Sequence, residues 1–120
     1  MRKLESTNPE LVALVHSLKK KSKENDAPIW FDVAKRLSSS RRSSVAVNLS
    51  RLNRHTKTKE SVVVPGKVLG SGDLGHSVSV AAFAFSDRAR LKISKAKGKS
   101  MSILDLVEAN PKGSNVRILE

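Results

Sequence analysis

The sequence predicts a mixed α/β fold, and three observations point to it. Apolar residues recur at helical spacing near the N-terminus, at Leu11, Leu14, Val15 and Leu18. Two runs rich in Val and Ala, Ser61–Pro65 and Ser77–Phe85, have the composition of strands. Between them lie Gly66, Gly70, Gly72 and Gly75, where the chain needs turns. At 120 residues one domain is expected. Its parts read as an N-terminal helical region over 8–38, a basic loop over 38–61 and an α/β core over 61–120. With three Phe, one Trp and no Tyr, that core must be aliphatic and modest in size.

The first helix has clear start signals. Asn8 is a natural N-cap, Pro9 suits the first helical position, and Glu10 places negative charge at the positive end of the dipole. Lys19, Lys20, Lys21 and Lys23 follow the apolar stripe, where cations suit the helix C-terminus or can meet phosphate. A second helix is expected after Asp26-Ala27-Pro28, with Trp30, Val33, Ala34 and Leu37 as its buried stripe. Trp30 is therefore read as a core residue, not a base-stacking platform. The helix gives out in Ser38–Ser44, a stretch with no apolar residue and little reason to order without a partner.

Beyond it, Val45 and Val47 alternate with small or polar neighbours. Ser61–Pro65 reads as a short strand stopped by proline, and Ser77–Phe85 as the strongest strand. Ser86-Asp87 caps a third helix, expected to run to about Lys97 and end at Gly98. Ser102 and Asp105 have the spacing of a capping box ahead of Ile103, Leu104, Leu106 and Val107. Asn110-Pro111 closes that fourth helix, and a final strand is expected over 115–119.

Several function classes are excluded or disfavoured. The absence of cysteine excludes disulfides, thiolate zinc sites and cysteine nucleophiles together. No apolar run approaches the roughly 18 residues needed to span a bilayer, and the N-terminus lacks a signal-peptide stretch. A cytoplasmic protein with no membrane partner is expected. His16, His55 and His76 are far apart and none has a second ligand at metal spacing, so no metal is expected. No G-x-S-x-G and no carboxylate pair marks a catalytic centre, so neither an enzyme nor a small-molecule substrate is expected. Gly70-Ser-Gly72-Asp-Leu-Gly75 matches the dinucleotide pattern G-x-G-x-x-G. That pattern requires a helix to begin at the turn, and here a strand follows. The glycines are expected to shape a tight turn, one able to approach an RNA backbone, and no cofactor is expected.

The charge is the strongest functional signal. From Lys35 to Lys67 there are nine Lys/Arg against the single acid Glu60, which is eight of the net +12. The flanking segments are close to balance, +1 over 1–34 and +3 over 68–120. So lopsided a block repels itself in the folded state and is matched by a polyanion. Arg51 and Arg54 are three apart, so in a helical turn they would share one side and could bracket a phosphate with their planar forks. Scarce aromatics and the lack of a base-reading helix argue for backbone and shape recognition, as structured RNA demands.

The sequence resembles the archaeal and eukaryotic large-ribosomal-subunit protein family L-eighteen-e, a relative of the bacterial family L-fifteen. The resemblance is carried by Thr7-Asn8-Pro9, Ile29-Trp30, Val33-Ala34, Arg42, and Val45-Ala-Val-Asn-Leu-Ser-Arg51. It continues through Val62-Val-Val-Pro-Gly-Lys-Val-Leu-Gly70, Val80-Ala-Ala82, Phe85-Ser86 and Asn110-Pro111, in order along nearly the whole chain. It implies N-terminal helices on an irregular β-β-α superhelical core, no catalytic activity, and binding to large-subunit rRNA beside neighbouring ribosomal proteins. The length suits the compact archaeal form.

By position, Arg41, Arg42, Arg51, Arg54 and Lys67 fall in the family's RNA-facing stretch, whereas Lys57 and Lys59 rest on charge alone. The expected role is a structural constituent of the large subunit that holds rRNA through phosphate contacts. The alternatives are a free-standing DNA- or RNA-binding regulator, which would need a base-reading element, and a nucleotide-dependent enzyme built on the glycine turn.

Overall fold

A computed structural model describes residues 9–38 and 46–120. The Asn8 cap, the Ser39–Ser44 part of the serine-arginine run, Arg41, Arg42 and Val45 lie outside the described residues. Among the described residues no helix is long and apolar enough to cross a membrane.

Helices α1 (Pro9–Asn25) and α2 (Pro28–Leu37) bury the expected stripes, Leu11, Leu14, Val15 and Leu18 on one and Trp30, Val33, Ala34 and Leu37 on the other. Strand β1 (Ala46–Asn48) leads directly into the short helix α3 (Leu49–His55), and strands β2 (Glu60–Leu69) and β3 (Val78–Phe85) follow. Then come helix α4 (Asp87–Lys95), strand β4 (Lys99–Ser102), helix α5 (Ile103–Ala109) and strand β5 (Val116–Ile118). Both serine caps form. Ser86 Oγ accepts from the Ala89 amide and Ser102 Oγ from the Asp105 amide, each at 3.1 Å.

Every strand pairing is parallel, in the order β1-β2-β3-β4, with β5 also on β2. β1 and β5 share one edge of β2 end to end: β5 pairs with Ser61–Val63 and β1 with Lys67–Leu69. The strand expected to stop at Pro65 runs through it. Pro65 lies in the gap between β5 and β1, and a register shift against β3 falls between Val64 and Lys67. Its missing N–H therefore meets an irregularity, the one place inside a sheet that tolerates proline.

The sheet is buried on both faces, as parallel sheets are. Val63 and Ala81 join α1, α2 and α5 in one core. Their neighbours Val62, Val64, Val80 and Ala82 point the other way, into a second core with Leu49 and Leu52 of α3 and Ala89 and Ile93 of α4. Trp30 is fully buried in the first core, and its Nε1–H donates to the Pro111 carbonyl at 2.8 Å. That bond ties α2 to the loop after α5 and shows what the Asn110-Pro111 turn supports.

β2 and β3 are parallel neighbours joined by residues 70–77 without a helix. By the register, the chain must travel back about 26 Å, at roughly 3.3 Å per residue of strand. Nine Cα steps reach at most about 32 Å, so this strap is close to fully extended. It crosses the second face and lies flat on α3 and α4. A Cβ at Gly70 would stand 2.6 Å from Arg88 Cγ, and one at Gly72, where φ is +87°, 2.6 Å from Ser50 Cβ. The glycines let the strap approach this chain's own helices.

Candidate nucleic-acid interface

Helix α3 occupies part of the segment read from sequence as a basic loop. Leu49 and Leu52 are its inward residues, so Arg51 and Arg54, also three apart, stand exposed on the outer side. Arg51 spends one donor within the fold: its Nη2 donates to the main-chain oxygen of Glu120 at 2.9 Å. The side-chain carboxylate of Glu120 in turn pairs with the Arg36 guanidinium, which also holds Asp32 at 3.1 Å. Arg54 makes no ion pair or side-chain hydrogen bond among the described residues.

Past the end of α3 the chain turns through Lys57 and Lys59, both exposed. Lys59 sits at φ +67°, and its amide donates to the Ser77 carbonyl at 2.7 Å. Glu60, the one acid of the basic block, is fully engaged. One carboxylate oxygen accepts from Arg117 Nη1 and the other from the Lys57 amide, both at 2.9 Å. The hydrogen bond from Arg117, helped by the Lys57 amide, holds its carboxyl below the usual glutamate range. Arg117 Nη1 also donates to the His55 carbonyl, so β5 clamps the end of α3. With its acid neutralised internally, the block presents cations alone.

Lys67 stands apart from this group. It is the exposed residue in a strand otherwise buried from Val62 to Val68. Its neighbour Val68 belongs to the α3/α4 core, so Lys67 leaves the sheet on the opposite face. Arg51, Arg54, Lys57 and Lys59 thus cluster along one helix and its following turn, and Lys67 does not join them.

The structure adds cations that averaging over 68–120 concealed. From Asp87 to Lys99 there are six Lys/Arg against one acid. Helix α4 buries Ala89 and Ile93 and leaves Arg88, Arg90 and Lys95 exposed on the face shared with α3. Lys92 is committed to the strap, donating to the Gly70 and Gly72 carbonyls at 3.0 and 2.7 Å. A window of about a dozen residues would have revealed this second block. By contrast α5, on the other face, carries Asp105 and Glu108 and no base.

The histidines stay apart. His16 is exposed on α1 and His55 ends α3, while His76 Nε2 lies 2.8 Å from Thr56 Oγ1. Among the described residues no group of three or more potential ligands could hold a metal ion. The glycine segment continues into β3 and not into a helix, so it has no phosphate cradle of the dinucleotide kind.

Helices on both faces of an irregular parallel sheet, with a helix-free β2–β3 crossover, agree with the architecture that the sequence resemblance implied. A family model described as ribosomal protein 60S L18 and 50S L18e matches residues 1–120. The chain belongs to that family. It is 48% identical over 120 residues to the large ribosomal subunit protein eL18 of Methanothermobacter thermautotrophicus, covering 100% of this chain and 99% of the relative. It is 51% identical over 118 residues to that of Methanoregula boonei, covering 98% of each. Against the protein of Archaeoglobus fulgidus it is 47% identical over 116 residues, 97% of this chain and 99% of the relative. The 60S L18 and 50S L18e family is one of ribosomal structural components, not of enzymes.

Proposed function

We propose that this protein is a structural constituent of the large subunit of the cytoplasmic ribosome, and that it binds large-subunit rRNA through the phosphate backbone. The observation that carries the reading is the paired basic face. α3 and α4 pack on one side of the sheet and expose Arg51, Arg54, Arg88, Arg90 and Lys95 against two exposed acids, Asp87 on α4 and Asp73 on the strap, the latter 3.6 Å from Lys92 Nζ. Lys57 and Lys59 extend that face past α3. Lys67, Arg41 and Arg42 are assigned to RNA as well, Lys67 from the other face. Such side chains displace condensed counterions from the RNA, while the doubly covered sheet fixes their spacing.

Binding of the purified chain to its large-subunit rRNA, followed from 50 to 300 mM salt, tests this. About six phosphate contacts give a log–log slope of roughly −4 to −5. A slope near zero overturns the phosphate mechanism. Sedimentation of cell extract tests the assembly. Retention with the large subunit through a high-salt wash supports an integral component, and recovery at the top of the gradient at moderate salt refutes it.

A further inference from the structure

Helix α4 faces a second feature, at the carboxyl end of the sheet, that phosphate binding does not explain. β4 pairs with β3 only from Ser79 to Ala82, so β3 runs on through Phe83, Ala84 and Phe85 with a partner on the β2 side alone. Beside this open edge is a groove of about 310 Å³, lined by Phe83, Phe85, Arg90, Met101, Ser102 and Asp105 among others. The chain has three Phe and one Trp, and Trp30 is in the core. Two of its few aromatic residues therefore line one open groove, Phe83 packed against the first core and Phe85 against the second. The Arg90 guanidinium carbon lies 5.7 Å from the Phe85 ring centroid, a cation–π arrangement that holds a planar cation at the groove wall.

Asp105 stands in the same wall. Its amide donates to Ser102 Oγ, but its carboxylate makes no hydrogen bond or ion pair among the described residues. An exposed, unpartnered carboxylate that shares a groove with Arg90 repels any phosphate that approaches there. On a surface that meets RNA, it is matched when it meets base N–H groups instead.

We propose that this groove receives one unstacked guanine base of the bound RNA, with Asp105 accepting from its Watson–Crick edge and the stacked Arg90–Phe85 pair forming the platform. The proposal rests on the RNA-binding reading above and refines it. Guanine offers N1–H and N2–H side by side, the match for the two oxygens of a carboxylate. Adenine and cytosine put an acceptor beside their amino group, and uracil puts its one N–H between two carbonyls, so each would set a lone pair against the carboxylate. Single-stranded bases are held in this way, on aromatic rings or guanidinium planes and by their Watson–Crick edges.

Amide chemical shifts of the full chain, titrated with GMP, AMP, CMP and UMP, test the site. GMP is expected to move the Phe83–Phe85 and Asp105 amides at concentrations roughly tenfold below the other three. Equal responses to all four, or none at these amides, overturn the proposal. Asp105→Asn gives a test of opposite sign. Loss of a negative charge tightens simple polyelectrolyte binding, whereas the groove requires the variant to lose GMP preference and to bind rRNA about tenfold more weakly. Unchanged or tighter rRNA binding, with an unchanged melt, refutes the groove. Persistence of the salt-dependent slope in that case leaves phosphate binding standing, whereas its absence from the unsubstituted chain removes the broader reading.

Discussion

Gly72 and Ser50 touch through their backbones: the Ser50 amide donates to the Ser71 carbonyl at 3.1 Å, and a Cβ on residue 72 would overlap Ser50 Cβ at 2.6 Å. This contact fixes the extended crossover to helix α3. The crossover is held again where the Gly75 amide donates to Asn53 Oδ1 at 2.9 Å. The α3 backbone that carries Arg51 and Arg54 is thereby positioned by direct contact with the strap.

Gly72→Ala tests that dependence. The substitution forces alanine to φ +87° and drives its methyl into backbone and side-chain atoms of Ser50. A loss of about 2–4 kcal/mol in unfolding free energy is expected from strain and overpacking together. Urea unfolding measures it directly. An unchanged midpoint would show that the strap is free to lift from α3.

Thr56 offers a second probe of the same junction. Its hydroxyl hydrogen goes to the Leu52 carbonyl at 2.6 Å, so its oxygen accepts from His76, whose Nε2 must carry the proton. Thr56→Val keeps the shape, removes both bonds and leaves the His76 N–H without its partner. The expected cost is about 1–3 kcal/mol, read by thermal melting. A nitrogen-resolved spectrum of His76 should show the Nε2–H tautomer in the parent chain. Finding the Nδ1–H form would contradict the assignment.

Much of this architecture is legible in the sequence, and the exceptions have physical causes. Long amphipathic helices declare themselves, as Leu11 to Leu18 and Trp30 to Leu37 do, because each stripe repeats over several turns. Caps at Ser86 and Ser102 are equally visible. Helix α3 is not, since seven residues with two inward leucines give no period to read. Strand β4 is Lys-Ser-Met-Ser, a sequence without strand character that is recruited by pairing with β3. Pro65 misleads because the gap between two collinear strands has no sequence signature. Of the candidate interface, the sequence shows the block around Arg51 and Arg54 but averages away the cations of α4, and the internal duty of Arg51 lies in a contact 69 residues distant.

Glu60 predicts an acid-side response. Its carboxyl is held below the ordinary glutamate value of 4.5 by Arg117 and the Lys57 amide. A depressed carboxyl contributes stability that is fully present above its unfolded value and is lost as pH falls through the lower folded value. The melting temperature should therefore drop as pH falls below about 4.5, and Glu60→Gln should lower it at neutral pH while flattening that part of the profile. Parallel melts from pH 6 to pH 3 compare the two chains. Superimposable profiles would mean that the clamp on α3 contributes nothing to stability.

Arg54 and Arg51 separate binding from support. Arg54 is exposed and has no partner among the described residues, so Arg54→Ala should remove the one phosphate contact proposed for it and little else. The slope of log K against log salt should become shallower by about one unit, with no change in the melt. Arg51 both faces outward and holds the main-chain oxygen of Glu120, as Arg36 holds its carboxylate. Arg51→Ala should flatten the slope by a similar amount and also lower stability by about 1 kcal/mol, the worth of one largely exposed hydrogen bond. Salt titrations and melts on the same preparations distinguish the two. An unchanged slope in the Arg54 variant would take α3 out of the RNA contact and leave α4 to carry it, whereas an Arg51 variant that no longer folds cooperatively would make Arg51 a structural residue first.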